Sequence, residues 1–449
     1  MHLRLKKPEI PTLKISIFAK IILKMKVLII SYYWPPAGGP GVQRWLKFAK
    51  YLPENGIEPI VYTPKNPSYP IVDYDLLNEV PTNATVINQS ILEPYAWAYR
   101  FSKDQSKTIS SGIIADESQQ TWKEKFMLWI RGNLFIPDAR VLWVKPSVRF
   151  LTRYIQENQI ETIITTGPPH SVHLIGLALK KKLKVQWIAD FRDPWTTIGY
   201  HKALKLSNYA RLRHEYLEKK VLTKASKIIV TSPTTQKEFL LKTEKPIRVI
   251  TNGYDNQPFI PMQLDKDFSL AHTGSFLSNR NPLILWKCLK ELCAEFPEFK
   301  TDLRIKLAGK VSDKILETLE SFGLIDNLEN VGYVSHNQVL SIQKNAQILL
   351  LIEIDSIETK GIIPGKLFEY MVSERPIIAL GPEDSDIQEI IQKTNTGVFF
   401  EYDQKEELKQ HILNSYHLYK NHQLKSNAVG LQPYSRKKLT QKLADFIKS

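Results

Sequence analysis

The sequence predicts an α/β chain of two Rossmann-like, doubly wound parallel-sheet domains facing a central cleft. Three observations lead there. Short continuous apolar runs alternate with amphipathic helical patterns; the alternation pauses after Asn252-Gly253 and restarts; and the loops leaving the apolar runs combine glycine, proline and charged residues. Apolar runs without polar alternation belong to strands covered by helices on both faces, which is the arrangement of parallel sheets. A length of 449 residues suits two such units, each able to bury its own core.

The first strand reads at 27–31 and ends in a Pro/Gly loop, followed by a helix at 42–52. Strands follow at 59–63, 84–88, 162–165, 185–189 and 227–231, with helices at 170–181 and 207–223 among them. A run at 248–251 passes through Asn252-Gly253 into a proline-containing stretch, 257–268, that reads as a linker. Strands recur at 269–272, 304–308, 328–333, 348–352 and 376–380. The expected division is a basic extension over 1–24, a first domain over 25–254, a second over 255–434 and a terminal helix over 435–449. In that helix Leu439, Leu443, Phe446 and Ile447 share a face.

Charge and cysteine content narrow the function classes. The net charge is +15, and seven Lys/Arg against Glu9 fall in the first 26 residues. A basic surface attracts any polyanion, so charge alone chooses neither nucleic acid, nor nucleotide, nor anionic lipid. With no recognisable RNA or DNA module, no nucleic-acid partner is expected. Cys288 and Cys293 form neither a CxxC pair nor a ligand set, which argues against disulfide scaffolding and structural zinc and fits a reducing cytoplasm. The apolar stretch at 12–23 is broken by lysines, lacks a cleavage site and is too short to span a bilayer. The segment reads as a disordered extension, a basic amphipathic membrane-surface segment, or the product of an upstream start codon; Met25-Lys26 followed by an apolar strand favours the last, with Met25 as the expected true start.

Four of the five chemistry-bearing loops lie at strand ends, where ligands of open α/β sheets bind. Pro35-Pro-Ala-Gly-Gly-Pro-Gly41 opens a helix, and its glycines let a phosphate approach backbone N–H groups. It matches neither GxGxxG nor GxxxxGKS, against dehydrogenase and P-loop readings. Thr165-Thr-Gly-Pro-Pro-His170 places His170 at the expected cleft. Asp190-Phe-Arg-Asp193-Pro-Trp195 gathers Asp190, Arg192 and Asp193, either as a structural ion pair or for acid–base and hydroxyl-binding work. His272-Thr-Gly274 leads to Arg280, whose guanidinium suits a diphosphate. The fifth loop, Gly361-Ile-Ile-Pro-Gly365-Lys366, precedes Glu369 on the same helical face; lysine for phosphate and glutamate for ribose is one reading, and a plain surface pair the other. Asp384-Ser-Asp386 spells a metal-binding DxD, but helix N-capping explains it, and no metal site is expected. Trp122, Phe126 and Trp129 share a helical face among basic residues, including Arg100, Lys123 and Lys125, with Trp97 upstream. Packing on the domain is the leading reading of that face, and seating on an anionic membrane the second.

Together these loops resemble glycosyltransferase family 4, a retaining family of the GT-B fold. The resemblance rests on 38–41, Pro-Pro-His170, Asp190 to Trp195, 272–274 and 366–370. Phe135-Ile-Pro-Asp138-Ala-Arg140-Val-Leu-Trp143 looks like a subgroup of bacterial polysaccharide loci, which makes Asp138, Arg140 and Trp143 candidates for the acceptor side. The resemblance implies sugar transfer from a nucleotide-diphosphate donor, used as co-substrate with no cofactor or metal, to a glycan or lipid-linked acceptor of the cell envelope. The enzyme would sit in the cytoplasm or peripherally on the inner face of the membrane. Gly39, Gly41, Gly274 and Gly365 would approach the donor, Arg280 and Lys366 neutralise the diphosphate, and Glu369 contact the ribose. The first glutamate of the family's E-x7-E pattern falls on Gly361 here, and the cleft histidine on Arg192, leaving Asp190, Asp193 or His170 to substitute. The terminal helix would cross back to the first domain. Two other functions fit the same fold: a sugar-nucleotide epimerase or hydrolase, and a non-catalytic envelope-assembly protein.

Overall fold

The computed structural model describes residues 24–93, 122–199, 201, 204–255 and 263–449. The extension before Lys24, Trp97 and Arg100, and the first half of the expected linker lie outside the described residues.

Two parallel sheets organise the chain. The first has seven strands in the order β3-β2-β1-β4-β5-β6-β7, built from β1 Met25–Ser31, β2 Ile57–Lys65, β3 Thr85–Ser90, β4 Thr162–Gly167, β5 Gln186–Phe191, β6 Lys227–Val230 and β7 Ile247–Val249. The second runs β10-β9-β8-β11-β12-β13, from β8 Phe268–Thr273, β9 Leu303–Ala308, β10 Leu328–Gly332, β11 Ile348–Ile352, β12 Ile377–Leu380 and β13 Gly397–Phe400. The linker expectation thus overran its end, because Phe268 opens β8 and is fully buried.

The central strands of each sheet are buried on both faces and split their side chains between two cores with period two. In β1, Leu28 and Ile30 join one cluster with Trp187 and Phe191, while Val27 and Ile29 join another with Trp45. In β11, Leu350 faces Phe268 and Trp286, and Leu349 faces Phe368 and Tyr370. The helix α1, Pro40–Tyr51, begins with a proline in its first turn after Gly39, and its Val42, Trp45, Leu46 and Ala49 form the buried stripe.

The last helix, α2 Arg436–Lys448, packs in the core of the first sheet, not the second. Leu439, Leu443, Ala444, Phe446 and Ile447 are buried against Val27, Ile29 and Trp45. Each large side chain so covered contributes on the order of 1.5–3 kcal/mol. The buried Lys227 reaches its carboxyl end, donating to the Phe446 carbonyl at 2.7 Å. The chain enters the second domain and leaves it side by side, Tyr254 bridging Ser435 and Gly253 lying on the Tyr434 carbonyl too closely for a side chain.

Candidate active site

The carboxyl ends of β5 and β6 and the loop 361–365 enclose a cavity of about 260 Å³ between the domains, lined by Gly41, Arg192, Asp193, Thr231, Asn252 and Gly361 to Gly365. On the first-domain side Arg192 lies over Gly41, hydrogen-bonded through Nε to the Gly167 carbonyl at 3.3 Å and through Nη2 to that of Pro168. Burial lowers its pKa, opposed by Asp193 and Asp190. The Asp193 carboxylate lines the cavity and accepts no hydrogen bond from the described residues; burial raises its pKa, and Arg192 works against that. A carboxylate so placed is free to take a ligand hydroxyl. Gly39, at φ 102°, has open space on the side where a side chain would stand, so its backbone is accessible.

Asp190 is different, and its candidacy for acid–base work is corrected. It is fully buried beneath α1, with Arg44 Nη2 3.0 Å from Oδ1, and Trp45 Nε1 and Thr166 Oγ1 2.9 and 2.8 Å from Oδ2. Arg44 also donates to the Thr251 carbonyl at 2.8 Å, so the cluster ties β5 and α1 to the crossing at 252–254. His170 likewise sits behind the cleft wall. It is stacked on Trp195 at 4.7 Å, and neither ring nitrogen has a partner among the described residues; burial first, then the nearby histidines and Arg192, push its pKa well below the usual range.

The three acceptor-side candidates also turn out to hold structure. Trp143 is in the core, stacked on Tyr62 at 5.2 Å. Arg140 is buried over the Tyr32 ring with Glu93 3.7 Å away, and Tyr32 donates to that same carboxylate. Asp138 receives the backbone N–H and the hydroxyl of Ser171, both at 2.8 Å. None of them lines the cavity.

On the second-domain side the candidates converge. Lys366, in the helix Gly365–Met371, brings Nζ to 3.2 Å from His272 Nε2, and Gly274 leaves bare backbone beside the ammonium. Arg280 Nη2 is 3.4 Å from Glu353, a carboxylate only 2% exposed at the end of β11. Burial raises the Glu353 pKa, against Arg280 and Lys366. Burial and Arg280 lower the Lys366 pKa to about 8, against Glu353 and Glu369. Among the described residues Glu353 is within ion-pair distance of Arg280 but not of Lys366. Glu369 accepts from Gln343 Nε2 at 3.1 Å. Glu353 and the role of His272 escaped the sequence reading, although an acidic residue closing the wholly apolar run 348–352 was a signal of the kind that drew attention to Asp190.

Gly361 is packed against the first domain: a Cβ there would meet Ser232 Oγ and Thr234 Cβ at 3.1 Å. Next to it Asp386 crosses the interface and accepts from the Thr234 N–H and hydroxyl at 3.0 and 2.9 Å. Capping of the following helix falls to Ser385, so the N-cap explanation holds for the tripeptide but not for Asp386 itself. The face of the helix Trp122–Leu134 is not packed away by the described residues: Trp122, Phe126 and Trp129 are 73%, 55% and 42% exposed.

Two α/β domains with parallel sheets, joined by paired crossings and closed by a terminal helix returned to the first, make the GT-B fold. The match to known families is consistent along the chain: residues 112–257 match the model of Glycosyltransferase Family 4, and residues 268–417 that of Glycosyl transferases group 1. The chain belongs to glycosyltransferase family 4.

Among solved structures it is similar to a glycosyltransferase from Rickettsia africae ESF-5 (14% identity, 95% of this chain and 98% of that one, TM-score 0.57). It is also similar to the lipopolysaccharide outer core galactosyltransferase WaaB in its apo form (12%, 95% and 100%, 0.56). A third is a putative UDP-N-acetylglucosamine 2-epimerase from Listeria monocytogenes (12%, 95% and 96%, 0.54). At these identities the likeness is one of fold. No curated protein matches the sequence. Among the described residues no helix is long and apolar enough to cross a membrane.

Proposed function

We propose that this glycosyltransferase moves a sugar from a nucleotide-diphosphate donor to a glycan or lipid-linked acceptor of the cell envelope, with retention of anomeric configuration. The observation that carries the donor reading is Lys366, next in sequence to the cavity-lining Gly365, buried near Arg280 and without an ion pair within 4.0 Å among the described residues, while Glu353 pairs with Arg280. A surplus cation held out of bulk water favours an anion, and a diphosphate leaving group accumulates charge where these two groups stand. As the bond from the anomeric carbon to the leaving oxygen breaks, the electron pair passes to the diphosphate. The acceptor oxygen bonds to that carbon from the same face, and its proton passes to a diphosphate oxygen. No metal is required in this scheme. In this reading Asp193 and Arg192, which line the cavity, hold hydroxyls of the sugar or acceptor, with the first domain on the acceptor side and the second on the donor side.

The envelope role draws support from the exposed aromatic helix. Asn133 near its end is bonded to Ser207 N at 2.7 Å, which sets it beside the helix Asn208–Lys224 with exposed Tyr209, Leu212 and Tyr216. Aromatic side chains interleaved with Arg211, Arg213, Lys219 and Lys220 suit a peripheral seat on the anionic cytoplasmic leaflet, where a lipid-linked acceptor is presented.

The test is a thermal-shift and calorimetric screen against UDP, GDP and nucleotide sugars. One nucleotide should stabilise the protein by about 2.7 kcal/mol at a hundredfold excess over Kd, and K366A should remove the shift. Absence of any shift sinks the donor assignment. Donor turnover without acceptor points to an epimerase or hydrolase instead.

A further inference from the structure

The contact between Lys366 and His272 has a direction. His272 Nδ1 lies 3.1 Å from the Leu350 carbonyl oxygen and Nε2 lies 3.2 Å from the Lys366 ammonium nitrogen. A carbonyl oxygen only accepts, so Nδ1 must carry a proton. A second proton on Nε2 would set an imidazolium against an ammonium with Arg280 nearby. Burial, Lys366 and Arg280 together keep the His272 pKa well below the usual range, outweighing the Leu350 and Ser275 carbonyls that favour the charged ring. The ring is 1% exposed and stacked on Phe276, with centroids 4.3 Å apart, so it has no room to turn.

We propose that His272 is a positioning residue for Lys366: its neutral Nδ1–H tautomer, fixed by the Leu350 carbonyl, presents Nε2 as the acceptor that holds the ammonium in the cleft. This deepens the donor reading above and rests on it for the ligand, a nucleoside diphosphate. Among the described residues Lys366 forms no ion pair within 4.0 Å, so the imidazole is the one side chain whose hydrogen bond orients it. A neutral acceptor orients a lysine without consuming its charge, whereas a carboxylate in the same place would compete with the incoming phosphate. One ammonium proton is committed to Nε2, and the other two remain for the ligand beside Gly274, where φ is 95° and no side chain intervenes.

The experiment has two arms. In the first, long-range 15N–1H correlation spectra of histidine-labelled full-length protein at neutral pH, assigned with H272Q, report the tautomer without any ligand. The Nδ1–H pattern is expected. An Nε2–H tautomer or an imidazolium overturns the inference whether or not a nucleotide binds. In the second, calorimetry with the nucleoside diphosphate that binds best compares wild type, H272F and H272Q across pH. H272F keeps an aromatic ring on Phe276 but offers no acceptor. It should weaken binding about tenfold, the size of one lost hydrogen bond to a charged group, and shift the alkaline inflection to lower pH. H272Q restores an acceptor and should recover most of both. Wild-type affinity and an unmoved inflection in H272F would overturn the proposal. If no nucleoside diphosphate binds wild type, the donor reading fails, while the first arm still decides the tautomer.

Discussion

Gly41 lies directly beneath Arg192: a Cβ at position 41 would overlap the Nη1 atom of the guanidinium. The glycine at the start of α1 therefore serves the arginine above it, in addition to any approach of a ligand to its backbone. Arg192 in turn stands over the Tyr33 ring at 5.7 Å and is held by two carbonyls of the loop after β4. The loops after three strands are thus locked by one side chain.

From this it follows that Gly41→Ala should displace the guanidinium while leaving the fold in place, because position 41 is not among the residues with positive φ. Turnover should fall about tenfold or more, as expected when a cleft group shifts by about 1 Å, with little change in Tm. In the pair with Arg192→Ala the clash disappears, so the two effects on turnover, taken as free energies, should be less than additive. Additive losses in a double-mutant cycle would show that the residues do not interact.

Asp190 gives the opposite pattern. Asp190→Ala leaves Arg44 buried without its carboxylate, which costs on the order of 3–5 kcal/mol, and should appear as a lower urea midpoint. A variant of wild-type stability that is inactive would return Asp190 to the chemistry.

The cations of the second domain should behave as a charge pair. Arg280→Ala and Lys366→Ala should each reduce turnover by about 10² or more. The Lys366 pKa is depressed to about 8 in the free protein, so its charge is present below that value and lost above it. Affinity for a nucleoside diphosphate should accordingly be constant toward neutral pH and decline as pH rises through about 8, and Lys366→Ala should lack that inflection. A flat wild-type profile to pH 10 would contradict the assignment.

For the exposed helix, replacing Trp122, Phe126 and Trp129 together with serine should weaken sedimentation with phosphatidylglycerol vesicles by about tenfold or more, since apolar burial and anionic attraction act together there. Neutral phosphatidylcholine vesicles should bind little in either case. Equal binding of wild type and triple variant would remove that face from the membrane.

The strands were legible because buried parallel strands read as unbroken apolar runs. The strand that escaped, β13, has four residues, and its first, Gly397, is required because a side chain there would collide with the Ile377 carbonyl. Arg280 and Lys366 stood out because both sit in glycine-bearing loops at or beside strand ends. For Asp190 two readings stood open, an ion pair and acid–base work, although the register that favours the first was available. Ile188, two residues earlier on β5, belongs to the core under α1, so Asp190 faces that core too, while Arg192 lies past the strand. Trp143 was hidden for a similar reason. Its helical neighbours Ser147, Leu151 and Ile155 are all buried, and the stripe outweighs the motif that singled it out. The exposure of Trp122, Phe126 and Trp129 could not be read from spacing, since a packed face and a solvent face have the same period.

The return of the last helix to the first sheet sets an order of events during synthesis. The first domain finishes its sheet at Val249, yet the helix that covers Val27, Ile29 and Trp45 begins only at Arg436. At roughly 5–20 residues per second, the ribosome leaves that face uncovered for about 10–40 s while the whole second domain is made. The nascent chain in that interval displays a patch of β1 and α1 to chaperones, and a stop codon anywhere before the last turn of the helix releases a protein whose first domain never closes.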